Sequence, residues 1–580
     1  MNNAAIAKVL QDIADLLELK GESAFKVRAY QRGARAVENL TVEAERLAKE
    51  GKLRQVPGIG QSIGEKVQEL IATGRCQYYE DLRAEFPAGV TALMDVPGIG
   101  PRTAARLAKE LNITDLGELE DALLSGQVAT LPRMGEKTAE NILRHLQAFR
   151  RKDMRIPIGE ALPIVEEIIS ALSKHSGVSN LTPAGSLRRF RETVGDIDLM
   201  GTASAADAEG VIKAFVGLPQ VKEVLVKGPQ KASVIVQSDL QVDLRLLEEE
   251  NFGSLLQYFT GSKDHNIALR ERSLKRGLSL SEYGITNVKT GELEKYRNEE
   301  DFYKRLGLQY IPPEIRETRG EIELAERGRL PTLIELGDIK GDLHVHTDWS
   351  DGRDSIEEMV RAAKARGYEY IAITDHSAGR GIARGLNEER LRQQVQEIRE
   401  AEAKVGGIRA FAGQEVDIRS DGTLDLSDEL MSELDVVVAS VHSAMGQDEA
   451  KMTERIIRAL ENPHVDILGH PTCRLLGQRE PVAVDMEAVF QAALATDTAL
   501  EINAWPYRLD LKDLHVFRAR ELGVKIVICT DSHKTEHLDV IRFGVGVARR
   551  GWCEAKDIMN TRPLAEVEAF LRRDRASKSR

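Results

Sequence analysis

The 580-residue chain is too long for a single hydrophobic core, so about three or four domains are expected. A hydrophobic content of 42% with 30% charged residues is that of an ordinary soluble protein, and no apolar run approaches the ~18 residues of a membrane span. The net charge of −13 speaks against a uniformly basic nucleic-acid binder, but residues 1–155 carry 23 Lys and Arg against 22 Asp and Glu, so a basic groove there is compatible with the acidic total.

The first twenty residues place Ile6, Val9, Leu10, Ile13, Leu16 and Leu17 at helical spacing and lack a basic leader and cleavage site. They predict a first folded helix rather than a signal peptide. Cys76, Cys473, Cys529 and Cys553 lie far apart with no CxxC, which fits a reducing cytoplasm without disulfides or a cysteine-type zinc finger.

Three related segments follow, VPGIGQSIGEKV (56–67), VPGIGPRTAARL (96–107) and LPRMGEKTAENI (131–142). Each is an apolar residue and Pro, a glycine-containing turn and a helix-forming run. A glycine turn at a helix N-terminus lets backbone N–H groups meet a phosphate without reading sequence. Joining helices by Pro-Gly turns would explain one copy; the repetition favours DNA-backbone contact through Gly58, Gly60, Gly98 and Gly100.

Further on, GDIDLM (195–200) has strand composition and places Asp196 and Asp198 on one face. Like charges side by side require a cation between them. Just upstream, AGSLRR (184–189) combines a small turn, a hydroxyl and guanidinium groups, which suits a triphosphate tail. Downstream, LQVDLRLL (240–247) is a second strand pattern carrying Asp243. Three strand carboxylates select a hard cation, Mg²⁺ or Mn²⁺, and a pair of such ions serves in-line phosphoryl transfer. The constellation marks nucleotidyltransferases in general.

With RIP (155–157), GSLRR, GDID, the third Asp and YFTGSKDHNIALRERSLKRG (258–277) in this order, residues 1 to about 315 closely resemble family X DNA polymerases, of which polymerase beta is the best known. The resemblance implies that Arg155, Gly185, Ser186 and Arg189 hold the incoming triphosphate and that Tyr258, Phe259 and Gly261 shape the sugar pocket. It further implies that Asn266 meets the base edge, Arg270 meets the template, and Asp243 serves the primer 3′-hydroxyl. Gln241 stands where polymerase beta has an arginine. In the first third, Lys66 falls at the family's Schiff-base lysine, either as a lyase nucleophile or as a plain phosphate contact. Lys26 and Tyr30 match residues that hold a 5′-phosphate, whereas Phe25 and Ser62 replace polar or basic residues.

After YIPPEIRE (310–317) a charged stretch to about 338 reads as a linker. Then seven strand-like runs, near 342–346, 370–374, 409–416, 435–441, 465–469, 499–503 and 524–530, alternate with helical patterns and repeatedly end in His, Asp or Glu. Chemistry at strand C-termini describes a (β/α) barrel, and imidazole with carboxylate suits Zn²⁺, Mn²⁺ or Fe²⁺. This half, opening on GDLHVHTDWSDG (341–352), resembles a PHP (polymerase and histidinol phosphatase) domain. The match places His344, His346, Asp351, His376, Glu415, His442, His470, Asp531 and His533 at its nine ligand positions and implies a cluster of three ions.

The expected architecture is therefore multidomain. A helix-hairpin-helix N-terminal region (lyase-like 1–90, fingers 91–155) precedes an α+β nucleotidyltransferase palm (156–250) with a small thumb (251–315). A linker (316–338) and a C-terminal distorted (β/α)7 PHP barrel (339–580) follow. The expected function is gap-filling DNA polymerisation in base excision repair with 3′-5′ exonuclease or phosphoesterase activity and abasic-site processing. The expected partners are gapped or primed DNA and deoxynucleoside triphosphates, with no membrane, for a cytoplasmic, nucleoid-associated monomer. Two rivals are a non-DNA nucleotidyltransferase fused to a small-molecule phosphoesterase, and a DNA-binding scaffold with silent sites.

Overall fold

The computed structural model describes residues 3–38, 40, 44–86, 90–94, 96, 99–131, 134–153, 155–379 and 383–572. Gly98 lies outside them. The chain divides into two compact units, Met1–Met154 and Arg155–Arg580.

The first unit is helical and has two apolar cores. Ile6, Leu10, Ile13, Leu16 and Leu17 of the helix Asn3–Lys20 anchor the first, which extends to Leu82; the second runs from Val90 to Leu146. Two of the repeated turns lead into helices at Gly60 (helix Gln61–Thr73) and Gly100 (helix Pro101–Glu110), neither capped by a side chain. Gly58 has φ of +98°, and a Cβ there would stand 3.3 Å from the Arg32 carbonyl oxygen, so the turn requires glycine.

The second unit opens with a five-stranded sheet in the order Ser179–Pro183, Asp196–Thr202, Gln241–Leu247, Lys231–Val236, Val221–Lys227. Alternate residues Ile197, Leu199, Val242 and Leu244 are buried with the helices Ile158–Leu172 and Ala208–Val216, leaving the acidic positions on the opposite face. The helices Phe252–Thr260 and Lys263–Leu274, a small antiparallel sheet and the helix Glu299–Arg305 follow around buried Phe302 and Tyr303.

All seven strands expected in the carboxyl half are present, as Gly341–Val345, Tyr370–Ile373, Arg409–Asp417, Val436–Ser440, Ile467–Leu468, Ala499–Asn503 and Ile526–Cys529. They pair in chain order, all parallel. The sheet nearly closes where the Asp531 amide donates to the His344 carbonyl (3.0 Å) and the His346 amide to the Ser532 carbonyl (2.7 Å). The crossover helices start where the sequence supplies caps; Ser355 and Glu358 form a reciprocal capping box for Ile356–Ala365.

The stretch expected to be a linker is instead packed structure. Arg316 is fully buried and donates to Glu299 (2.6 Å) and the Ile311 carbonyl (2.9 Å), and buried Glu321 pairs with His265 (2.7 Å). Glu317 takes Arg189 at 3.2 Å from the palm and Arg550 at 3.0 Å from the barrel. Arg550 also donates to the Arg189 carbonyl (2.6 Å) and to Asp513 (2.7 Å). Burial pushes the Glu317 carboxyl up, but Arg550 and Arg189 outweigh it and hold it below the ordinary value; Asp513 is depressed in the same way. Both folded values lie below the unfolded ones, so this stabilisation is complete above the ordinary carboxylate range and is lost as pH falls through and below it. Arg550→Ala, which removes the cation shared by Glu317 and Asp513 but leaves them Arg189 and Arg319, is expected to cost about 3 kcal/mol at neutral pH. A urea titration followed by tryptophan fluorescence measures it, since Trp349, Trp505 and Trp552 all lie in the barrel half.

Candidate active sites

In the palm, Asp196 and Asp198 are half-buried on one face of their strand, and Asp198 stands directly opposite Asp243 on the neighbouring parallel strand. The three carboxylates therefore share a face, as the spacing predicts. Gln241 donates to both oxygens of Asp243 at 3.1 and 2.9 Å and fixes their direction. Gly185 has φ of +58°, and a Cβ there would sit 2.6 Å from Asp198 Oδ2, so the Gly-Ser turn is pressed against the acids. An oxygen-only donor set of this kind fits Mg²⁺ or Mn²⁺.

Around it, Arg155 donates to Thr193 Oγ1 (2.9 Å) and to the Thr193 carbonyl. Arg189 is held by Glu317 and by the Thr260 carbonyl (2.5 Å), beside Gly261. The Tyr258 and Phe259 rings lie 5.2 Å apart; Arg270 covers Tyr258 and Arg245 covers Phe259. Asn266 donates to the Tyr258 carbonyl (2.8 Å) and accepts from Gln257 (2.9 Å). Arg189 and Asn266, expected to meet a nucleotide, are thus engaged to protein groups.

In the first unit, Lys66, Lys26 and Tyr30 come together around Tyr78, which the sequence did not single out. Lys66 Nζ is 4.6 Å from the Tyr78 ring centre and 3.2 Å from Ser62 Oγ, Lys26 Nζ is 5.9 Å from the same ring, and Tyr30 stacks on it. Phe25 points away, 78% exposed.

At the C-terminal ends of the barrel strands all nine expected ligands converge. Donor atoms lie within 4.8 Å of one another in three overlapping groups, His346–Asp351–His376–His533, His344–His346–Asp531 and His376–Glu415–His442. His470 joins through Glu415 at 3.0 Å. Burial alone would raise the Glu415 carboxyl, but His442, His376 and His344 outweigh it and hold it well below its ordinary value. Burial, with neighbouring cationic groups, pushes His346 and His470 down to about 3, which keeps both imidazoles neutral donors at neutral pH. Each also buries an Nδ1 with no hydrogen-bond partner. Three donor groups of imidazole and carboxylate fit a cluster of transition-metal ions.

A surrounding layer was not foreseen. Glu501 accepts from His344 Nδ1 (2.7 Å) and from the His470 amide, Asp417 pairs with His442 Nδ1, and Asn503 donates to Asp531 Oδ2 (3.1 Å). Such partners fix ring orientation and raise ligand basicity. The available signal for Glu501 was a carboxylate inside the apolar run ALEI; for Asp417 it was only the i, i+2 spacing from the ligand Glu415 in GQEVD.

Comparisons with known proteins agree in order along the chain. Family models described as a helix-hairpin-helix domain, a SAM-like helix-hairpin-helix tandem, a DNA polymerase beta thumb and a PHP domain match residues 1–76, 90–148, 255–317 and 342–504. A DNA polymerase/3′-5′ exonuclease PolX of Bacillus subtilis (strain 168) is 43% identical over 576 residues, covering 99% of this chain and 100% of the relative. A probable phosphatase of Thermoanaerobacter sp. (strain X514) is 32% identical over 245 residues, 40% of this chain and 94% of the relative. One of Shewanella sp. (strain MR-4) is 26% identical over 246 residues, 41% and 93%. Among the described residues no helix is long and apolar enough to cross a membrane. With identity sustained from end to end, the chain belongs to the PolX family, the bacterial family X DNA polymerases with a C-terminal PHP domain.

Proposed function

We propose that the protein fills short gaps in DNA with deoxynucleotides at the palm and trims 3′ ends at the PHP centre, in repair of the base-excision type. The observation that supports this is the presence, in one chain, of two clusters of potential donors: Asp196, Asp198 and Asp243 on one sheet face, and nine His, Asp and Glu side chains at the barrel mouth.

In the palm, bound Mg²⁺ or Mn²⁺ would lower the pKa of the primer 3′-hydroxyl and offset charge on the leaving pyrophosphate. The chain's own part is positioning. Asp243, aimed by Gln241, faces the 3′-hydroxyl, while Arg155, Ser186 and Arg189 hold the triphosphate, with Arg189 exchanging Glu317 for phosphate oxygens. Tyr258, Phe259 and Gly261 line the sugar, Asn266 reads the base edge after leaving the Tyr258 carbonyl, and Arg270 meets the template. In the barrel, a cluster of three ions of Mn²⁺, Zn²⁺ or Fe²⁺ would supply a nucleophilic hydroxide at neutral pH. Glu501 and Asp417 hold His344 and His442 in register for it.

The test is a 5′-labelled primer on a template with a one-nucleotide gap and a downstream 5′-phosphate, in Mn²⁺, with and without deoxynucleoside triphosphates. One-nucleotide growth with them and shortening without them are expected. If neither occurs on any DNA end, the small-molecule nucleotidyltransferase reading takes its place.

Lys66 serves as the amine that attacks the C1′ aldehyde of a 5′-deoxyribose phosphate, with Lys26 and Tyr30 on the 5′-phosphate. Borohydride is expected to trap a covalent adduct of the wild type on an incised abasic site, and Lys66→Ala to abolish it. An undiminished adduct in Lys66→Ala would leave Lys66 as a phosphate contact.

A further inference from the structure

Beyond the barrel strand Ala499–Asn503 the chain forms a short strap, Trp505–Leu511, fastened at both ends to groups of the PHP centre. At one end the Trp505 amide donates to Asn503 Oδ1 (3.1 Å), and Asn503 in turn holds the ligand Asp531. At the other, Asp510 accepts from the amide and hydroxyl of Thr472, both at 2.9 Å, two residues past the ligand His470. The carbonyls of Arg508 and Leu509 accept from buried Arg474, which also pairs with Glu192 of the palm at 2.7 Å. Pro506 packs on the palm so closely that a Cβ at Gly159 would stand 2.3 Å from its own. The strap is therefore a fixed feature with little freedom to reorganise.

Two of its side chains have no part in the reading so far. Arg508 Nε is buried without a hydrogen-bond partner and stands 3.9 Å from Asp531 Oδ2, too far for a hydrogen bond. The carboxylate that faces this guanidinium belongs to a metal ligand, so Arg508 keeps a buried N–H donor for a further anion at the edge of the site. A phosphodiester is such an anion, and the planar donor fork suits its oxygens. Trp505 is half-buried, its ring 4.7 Å from His537 and 6.2 Å from Tyr507, and His537 accepts from the amide of the ligand His533 at 3.4 Å. An indole at the edge of the ligand cluster offers a π-face that any base can stack on.

We propose that Arg508 and Trp505 form the binding site for the 3′-terminal nucleotide of a DNA strand at the PHP centre, Arg508 on the phosphate to be cleaved and Trp505 against the terminal base. The proposal rests on the reading of that centre as a 3′-trimming site. Hydrolysis there adds water across the P–O3′ bond, freeing a nucleoside 5′-monophosphate and leaving a strand with a new 3′-hydroxyl. Stacking on an indole carries no sequence preference and requires the terminal base to be unpaired, so single-stranded or frayed ends are the substrates it takes.

The experiment uses the full chain and a single-stranded oligonucleotide with 2-aminopurine as its 3′-terminal base, with Ca²⁺ as the only divalent ion. Wild type is expected to quench the probe by stacking, Trp505→Phe to retain the quench in large part, and Trp505→Ala to lose it. Arg508→Ala is expected to weaken binding about tenfold, with Arg508→Lys between it and wild type. In Mn²⁺, the ratio of DNA trimming to bis(p-nitrophenyl) phosphate hydrolysis should fall about tenfold in Trp505→Ala, because the small ester has no base to stack. An unchanged quench and ratio in Trp505→Ala would overturn the subsite. A wild type that hydrolyses the ester but leaves every DNA end intact would overturn the trimming reading itself.

Discussion

Asp243→Ala is expected to lower templated nucleotide addition by about 10³-fold or more while 3′ trimming continues, read on the same labelled gap substrate. Asp198 and Asp243 are register partners on adjacent parallel strands, and Asp196 lies two residues away on the same face. Strands about 4.8 Å apart bring these carboxylates together whether or not a cation is bound. Without one, their mutual repulsion is a cost to folding that the palm sheet bears for function. Removing Asp243 relieves part of that repulsion, so the urea midpoint of the metal-free variant should not fall below that of wild type. Activity lost without stability lost is the signature of a group present for chemistry. A merely structural Asp243, bonded to Gln241 to fix the start of this central strand, would give the reverse: a lower midpoint and a proportionate, modest loss of addition.

What the sequence reveals of this molecule is the part carried by local pattern. The i, i+2 spacing of Asp196 and Asp198 follows from strand periodicity, and apolar runs that close on His376, Glu415, His442, His470, Asp531 and His533 mark the barrel site, whereas the full set of nine ligand positions comes only with the resemblance to a PHP domain. The seven barrel strands are legible because apolar runs of five to eight residues alternate with amphipathic helical ones. The segment 316–338 was misread for a physical reason. Arg316, Glu317 and Glu321 look like solvated charges, yet each is buried against a partner distant in sequence: Glu299, Arg550 and His265. Charge density signals exposure only where no opposite charge is folded against it. The same limit hid Glu501, Asp417 and Tyr78. Each acts through a neighbour that the chain brings near only in three dimensions. Gln241 departs from the polymerase pattern in the sequence itself, but its bonds to Asp243 emerge only from the strand geometry.

In the barrel, Glu415→Ala is expected to abolish 3′ trimming, by about 10³-fold or more, and to lower bound metal per chain in elemental analysis, while gap filling continues. The two Glu415 oxygens reach five imidazoles: Oε1 lies 3.0 Å from His470, 3.2 Å from His442 and 3.6 Å from His344, and Oε2 lies 2.8 Å from His376 and 3.6 Å from His346. No other carboxylate among the described residues touches as many of the ligands, so its loss leaves the rings without the anion that offsets the charge of bound ions. Glu415→Gln keeps the volume and removes only the charge; a loss close to that of Glu415→Ala would assign the effect to electrostatics rather than to a cavity. The separation of the two activities is the more searching part. Arg550 and Arg474 tie the barrel to the palm through Glu317 and Glu192, so a barrel that partly unfolds should disturb Arg189 and gap filling as well. Loss of trimming alone therefore places the effect of Glu415 at the metal centre. Loss of both activities would mean that the filled centre also holds the barrel in the shape on which the palm leans.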